Sequence, residues 1–417
     1  MAAESDAING SAQDTAERFQ QYLRKYEKDD KLVILQAESM PGSKLGDNYT
    51  SVLIRTKLSG RRGDGSPYTG TFMTKKLTQR PAASFLNLFD LFRMEAHVYK
   101  NILPHLGSFG PQCIFADKET IIMEDLGKKG YVYRDRRDFL DFKHTACALK
   151  KLAQLHASAF TVKIKNSQMF HEMVRSLEEI IYNDANSRMR DTTEVCITAI
   201  INQLKMVDPR TPEQQNVLDH ISNYASKSYD TLSKLFNKPK ETYDTICHGD
   251  PWNNNLLFLH DNNGNIIDLK MVDYQICRYT SVSTDILYLI YTSTHSSVIE
   301  KDYESLIKIY HDELIQVLRR NYINEKILAD LGMHWLQAEL KKHAFYGMLT
   351  GCTLAHPMLA NEDDAQQFEN MSWDDKDKTS DLISVITENV NKEKLDRISF
   401  VTLDYYRRYI SDKPIKQ

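Results

Sequence analysis

His248-Gly-Asp-Pro-Trp-Asn-Asn-Asn255 runs into Leu256-Leu-Phe-Leu259, then Asp261-Asn-Asn-Gly-Asn265, then Ile266-Ile-Asp-Leu-Lys-Met-Val-Asp-Tyr-Gln275. Two short apolar runs around an Asn- and Gly-rich turn predict a β-hairpin. A hairpin returns the chain to the end it left, so Asn255 and Asp273 are expected at the same end of the ribbon. Asp250 lies just ahead of Asn255. These residue types suit phosphoryl transfer. A carboxylate can orient an acceptor hydroxyl and take its proton, and hard oxygens can hold a divalent ion against the negative charge of the transferred group. Magnesium keeps several waters and takes further oxygens from phosphate, so two protein ligands suffice. His-x-Asp alone reads as a polar turn. Asn255, the hairpin and Val-Asp-Tyr-Gln together turn the reading toward chemistry.

On the N-terminal side the texture is β-rich. Residues 32–36, 49–56 and 68–77 carry β-branched and aromatic side chains and predict strands, separated by Gly-, Ser- and Asp-containing turns. An amphipathic helix is expected over 82–103, closed by Pro104, followed by strands at 112–116 and 120–123. From about Tyr133 onward the periodicity is helical over 142–160, much of 169–205 and 213–236. Beyond the hairpin, helices are expected from Asp285, over 303–320 and over 325–349, with an acidic loop at 362–377 before the last ones. No internal repeat points to a solenoid. The order implies an α+β chain: a disordered start at 1–14, a small antiparallel sheet lobe with one helix at 15–126, and a mainly helical lobe at 127–417.

The 417 residues are 41% hydrophobic and 26% charged, with a formal net charge of -4. That balance gives no basic field to recruit nucleic acid or anionic lipid. The most apolar short run, 286–291, is far too short to span a bilayer. The start lacks the cationic and apolar regions of a signal peptide. Six cysteines lie far apart with no Cys-x-x-Cys pair, which fits reduced, mostly buried thiols rather than a disulfide framework or a zinc site. The expectation is a cytoplasmic monomer with no nucleic-acid or membrane partner.

His248 to Phe258, with Val272-Asp-Tyr-Gln275, resembles the ecdysteroid kinase-like family. Its superfamily includes choline kinases and aminoglycoside phosphotransferases and has a protein-kinase-like bilobal fold. The resemblance runs over residues 42–294. It implies ATP and Mg2+ as cofactors, with Asp250 as base, His248 holding the catalytic loop, and Asn255 and Asp273 as metal ligands. Pro251 departs from the family pattern, in which Leu is more usual. An aspartate at Asp285 would brace the loop, although an acid in the first turn of a helix is also favoured by the helix dipole alone. His156 matches the family but reads as a hydrogen-bonded core histidine.

The remaining site residues come from the sheet region. In Gly70-Thr-Phe-Met-Thr-Lys-Lys-Leu77 a strand lysine would contact phosphate; alternation puts Lys75 and Lys76 on opposite faces, and the family's spacing favours Lys75. Glu95 is flanked at helical spacing by Leu91, Phe92, Val98 and Tyr99, so a buried carboxylate there needs a cation. A Lys75–Glu95 pair, of the kind kinases require, answers this. Gly42, Gly46 and Ser51 occupy the place of a phosphate-covering turn. The segment 121–127 resembles a hinge, with Met123 as gate and adenine contacts over Glu124 to Leu126.

The resemblance implies phosphorylation of a small-molecule hydroxyl, that of an ecdysteroid or a xenobiotic hydrophobic alcohol. Two other readings stay open: a choline-, ethanolamine- or aminoglycoside-type kinase, and a non-catalytic nucleotide-binding scaffold. The presence together of Lys75, Glu95, Asp250, Asn255 and Asp273 argues against the scaffold. Tyr182, Trp335, Phe345 and Tyr346 would suit an apolar acceptor face or simply the core. A choline-type acceptor would want an aromatic cage with carboxylates near it.

Overall fold

The computed structural model describes residues 11–42, 51–77, 88–183, 187–360 and 390–412. Residues 43–50 of the phosphate-covering turn with Gly46, residues 82–87 of the expected helix, most of the expected disordered start and the acidic loop lie outside the described residues. The chain divides into two compact units, the first holding Met1–Val132 and Leu257–Gln275, the second Tyr133–Leu256 and most of the chain after Ile276. Together they make the expected α+β, kinase-like bilobal fold.

Among the described residues the first unit opens with helix α1 (Ala12–Glu27), which takes in the last residues of the expected disordered start because the Ser11 side chain accepts from the Asp14 N–H at 3.0 Å. Strands β1 (Val33–Pro41), β2 (Ser51–Arg61) and β3 (Pro67–Leu77) form an antiparallel meander. Strands β4 (Cys113–Ala116) and β5 (Thr120–Glu124) complete a five-stranded sheet in the order β1-β2-β3-β5-β4. Ala16, Phe19 and Leu23 of α1 pack with Leu32, Ile34, Leu58, Tyr68, Phe72 and Ile122, which closes one face of the sheet.

Helix α2 (Leu88–His97) buries Leu91, Phe92, Met94, Glu95 and Ala96. It does not end at Pro104. A π-helical turn, Val98–Ile102, resets the hydrogen-bond spacing, and a further turn, Leu103–Leu106, carries Pro104 in its first two positions, where a missing N–H is tolerated.

The hairpin Leu256–His260 and Ile266–Met271 forms as expected. It packs with the first unit because its partners lie there. The Met271 N–H donates to Phe109 O at 2.8 Å, Lys270 Nζ to Ser108 O at 2.7 Å, and the Tyr131 hydroxyl to Asp268 at 2.6 Å. Leu126, Tyr131 and Leu257, with Leu259 and Val272 against them, form the small apolar cluster beneath.

The second unit is helical: α3 (Phe142–Lys165), α4 (Ser167–Val174), α5 (Ser187–Met206), α6 (Pro212–Ser222), α7 (Ser228–Phe236), α8 (Ser283–Ser293), α9 (Ser296–Arg320), α10 (Glu325–Asp330), α11 (Met333–Met358) and α12 (Lys392–Tyr409). The expected helical stretches 169–205, 213–236 and 325–349 are thus each broken in two. Every residue of α8 is buried, so no face of it meets solvent. Helix α11 approaches it closely: a Cβ on Gly351 would lie 2.6 Å from Tyr291 Cβ. The strand Thr245–Cys247 pairs antiparallel with Arg278–Thr280, and this ribbon carries the chain into and out of the segment that begins at His248. Among the described residues no helix is long and apolar enough to cross a membrane.

Candidate active site

In the first unit three charged side chains meet. Alternation along β3, paired Lys75 to Ile121 on one side and Leu53 on the other, turns Lys75 inward, where it is 5% exposed. Lys76 takes the opposite face and stays half-buried. Lys75 Nζ lies 2.6 Å from Glu95 Oε2 and 2.8 Å from Asp273 Oδ1. Burial works against its charge, but Asp273 first and Glu95 next outweigh it, and the ammonium is held well above the ordinary lysine value. Burial pushes the Glu95 carboxyl up and Asp273 adds to it, with Lys75 pulling the other way. With both carboxylates ionised, one ammonium between them leaves a net negative charge.

Asp273 follows the hairpin with φ +65, a left-handed conformation that costs a non-glycine residue about 1–2 kcal/mol. That turn aims Oδ1 at Lys75, while Oδ2 accepts no hydrogen bond among the described residues. Ser51, at the start of β2, is buried and paired to Leu77. The hinge segment leaves β5 at Glu124, whose carboxylate is taken up locally by the Gln112 N–H at 3.1 Å and by Lys129. Asp125 is bound by Arg55 Nε at 2.7 Å and the Gly127 N–H at 3.1 Å. Leu126 is buried and opens a short 3-10 turn.

In the second unit the loop that begins at His248 hangs from Asp285. Its two oxygens accept the N–H groups of His248 at 2.7 Å and Gly249 at 2.9 Å, and His156 Nε2 donates to it at 3.0 Å. The Tyr310 hydroxyl donates to His156 Nδ1 at 2.7 Å, which fixes the ring. Burial pushes the Asp285 carboxyl up, but the hydrogen bonds from His156 and the Gly249 amide prevail and hold it below the ordinary value. Gly249 has φ +89, and a Cβ there would sit 1.9 Å from Ile276 O, so no side chain fits at that corner. His248 is fully buried and its Nδ1 accepts the Asp250 N–H at 3.2 Å, turned to its own loop. His156, Cys247 and Asp285 have the proximity of a metal triad. Both His156 nitrogens are already hydrogen-bonded, however, and burial keeps the Cys247 thiol protonated.

The loop presents Asp250 on its far side. Asn255 Nδ2 donates to Asp250 O at 2.9 Å and Oδ2 at 3.0 Å. That orientation leaves Asn255 Oδ1 without a hydrogen bond among the described residues. The Tyr288 hydroxyl, from α8, donates to Asp250 Oδ1. Burial, then the Asp250 charge, pushes the Tyr288 phenol well up, so it remains a donor. Sequence reasoning missed Tyr288, because the run Ile286-Leu-Tyr-Leu-Ile-Tyr291 reads only as core. Of the aromatic residues expected on an acceptor face, Tyr182 and Tyr346 meet edge-on at 6.3 Å. Phe345 stacks elsewhere on Tyr224 at 4.0 Å, and Trp335 contacts Tyr243 at 6.1 Å.

Each unit offers a hard oxygen of the kind a divalent ion takes: Asp273 Oδ2 in the first and Asn255 Oδ1 in the second accept no hydrogen bond among the described residues. No curated protein matches the chain. The model of a family of kinase-like phosphotransferases matches residues 45–322 of the 417. By that match, which takes in Lys75, Glu95 and the whole loop from His248 to Asn255, the chain belongs to the ecdysteroid kinase-like family.

Proposed function

We propose that the protein is an ATP-dependent small-molecule O-kinase, which transfers the γ-phosphoryl group to a hydroxyl of an ecdysteroid or a similarly apolar alcohol. The observation that carries the reading is the Asp250 carboxylate, which already accepts a hydrogen bond from a hydroxyl, that of Tyr288. An acceptor alcohol needs the same contact.

In this reading Asp250 accepts the acceptor's proton as the acceptor oxygen bonds to the γ-phosphorus. The bond from that phosphorus to the bridging oxygen breaks, ADP leaves with the electron pair, and the proton passes from Asp250 to solvent. Asn255 holds Asp250 in place through its amide nitrogen and offers Oδ1 to the metal; Asp273 offers Oδ2. Mg2+, when bound, neutralises charge on the phosphate oxygens. Lys75 binds phosphate oxygens, and Glu95 keeps it from collapsing onto Asp273 alone. Ser51 contacts phosphate, and the backbone over Glu124 to Leu126 receives adenine. His248 and Asp285 shape the loop and exchange no proton with substrate.

The test is phosphate transfer from labelled ATP to an ecdysteroid, with choline as the rival acceptor. Asp250→Asn should keep ATP binding and lose about 10²–10⁴ in turnover. Undiminished turnover in that variant would remove Asp250 from the base role, and transfer to choline alone would replace the acceptor class.

A further inference from the structure

Arg278 lies on the strand paired with the one that leads into the catalytic loop, directly opposite Cys247. It is buried, and its guanidinium carbon stands 4.7 Å over the Phe236 ring, 5.7 Å over Tyr182 and 6.0 Å over Tyr346. The three rings face one another: Tyr182 and Phe236 are stacked at 5.2 Å, and Phe236 meets Tyr346 edge-on at 5.0 Å. Glu179 closes the box, with Oε2 2.8 Å from Arg278 Nε and Oε1 3.3 Å from Nη2. Nη1 donates to the Tyr346 hydroxyl at 3.2 Å. The Tyr346 ring is 6.3 Å from that of Tyr288, the residue bonded to Asp250. A continuous set of contacts therefore runs from the carboxylate of the catalytic loop to the box.

Three aromatic faces and a carboxylate are the groups that recognise a quaternary ammonium or an amine. Here the protein's own guanidinium fills them. A ligand cation entering this box would have to expel a buried, ion-paired arginine and leave it without a partner, which is strongly unfavourable. We propose that Arg278 occupies the cation box beside the acceptor site and so restricts the enzyme to acceptors without a cationic head, neutral alcohols in place of amino alcohols and aminoglycosides. Arg278 acts as a specificity-determining residue that touches no reacting atom. The catalytic half of this inference rests on the phosphotransfer reading above; the binding half does not.

The test compares wild type with the Glu179→Ala/Arg278→Ala double variant, using tetramethylammonium as the binding probe. Choline and its neutral carbon isostere, 3,3-dimethylbutan-1-ol, serve as acceptors. Wild type is expected to show no saturable tetramethylammonium binding and no preference for choline over the isostere. The double variant should gain tetramethylammonium binding and shift the choline-to-isostere ratio of kcat/KM by about tenfold toward choline. Arg278→Ala alone keeps Glu179 in the emptied box. Tetramethylammonium should therefore raise its melting temperature and leave wild type unmoved, an outcome readable even where the double variant folds poorly. Saturable binding of the probe by wild type, or a tenfold wild-type preference for choline, overturns the proposal. So do folded variants that lose stability with no change in probe binding or acceptor ratio, which marks Arg278 as purely structural. Should wild type phosphorylate neither alcohol nor any steroid, the phosphotransfer reading falls, and the probe titration still decides the box.

Discussion

Glu95 and Asp285 are both carboxylates of about 1% exposure, one in each unit, yet their ionisation is pushed in opposite directions. Among the described residues Glu95 has one donor, Lys75, and shares it with Asp273. Asp285 has three, two backbone amides and His156, none of them shared with another acid. Burial penalises both charges equally in kind. The number of donors committed to the carboxylate decides which way the balance falls. One carboxylate is thus a rigid strut, and the other is part of a charge set with a surplus that a cation can answer.

The comparison can be broken by removing each charge at constant shape. Asp285→Asn puts an NH2 where two backbone amides and His156 Nε2 already donate. It should cost about 3–5 kcal/mol in urea unfolding. The cost should be full above the ordinary aspartate value near 3.8 and shrink as pH falls below it, since a lowered folded pKa stabilises only while the group is ionised. A cost under 1 kcal/mol would mean that the loop does not hang from this residue.

Tyr288→Phe removes a donor to the Asp250 carboxylate and should lower unfolding free energy by about 1.5–3 kcal/mol, the usual range for a bond to a charged group. Unchanged stability would place the Tyr288 hydroxyl in solvent.

Glu95→Gln should be the mildest, about 1 kcal/mol, because Lys75 keeps Asp273 at 2.8 Å and no bare charge is left behind. The sign of its pH dependence is opposite to that of Asp285. A carboxyl raised in the folded state loses stability as pH rises from its ordinary value near 4.5, so the variant should gain on wild type in that direction. A variant that falls further behind as pH rises would show that Lys75 holds Glu95 ionised without strain.

Much of this pair of sites could be read from the sequence. Strand alternation decided that only one of Lys75 and Lys76 could point inward, and the apolar residues around Glu95 demanded a cation. Asp285 was legible as a helix start, and its reach to two amides was not, because those bonds depend on where the loop turns at Gly249. Tyr288 and Arg278 left no local signal. One is hidden in an apolar run, and the other sits on a strand of three residues, where period-2 patterning has too little length to speak. The breaks between α4 and α5 and between α6 and α7 were equally silent, since apolar spacing continued across them. The π-helical turn before Pro104 is a spacing error to any pattern built on 3.6 residues.

The hairpin makes the first unit discontinuous in the chain: its sheet is written in residues up to 132, its last ribbon only at 257–275. During synthesis, at about 5–20 residues per second, the sheet and α2 leave the ribosome many seconds before Asp273 exists. Over that interval Lys75 and Glu95 exist without Asp273, and the second carboxylate arrives only after residues 133–256 have been made. The carboxylate that completes the three-charge set is therefore the last of the three to be synthesised.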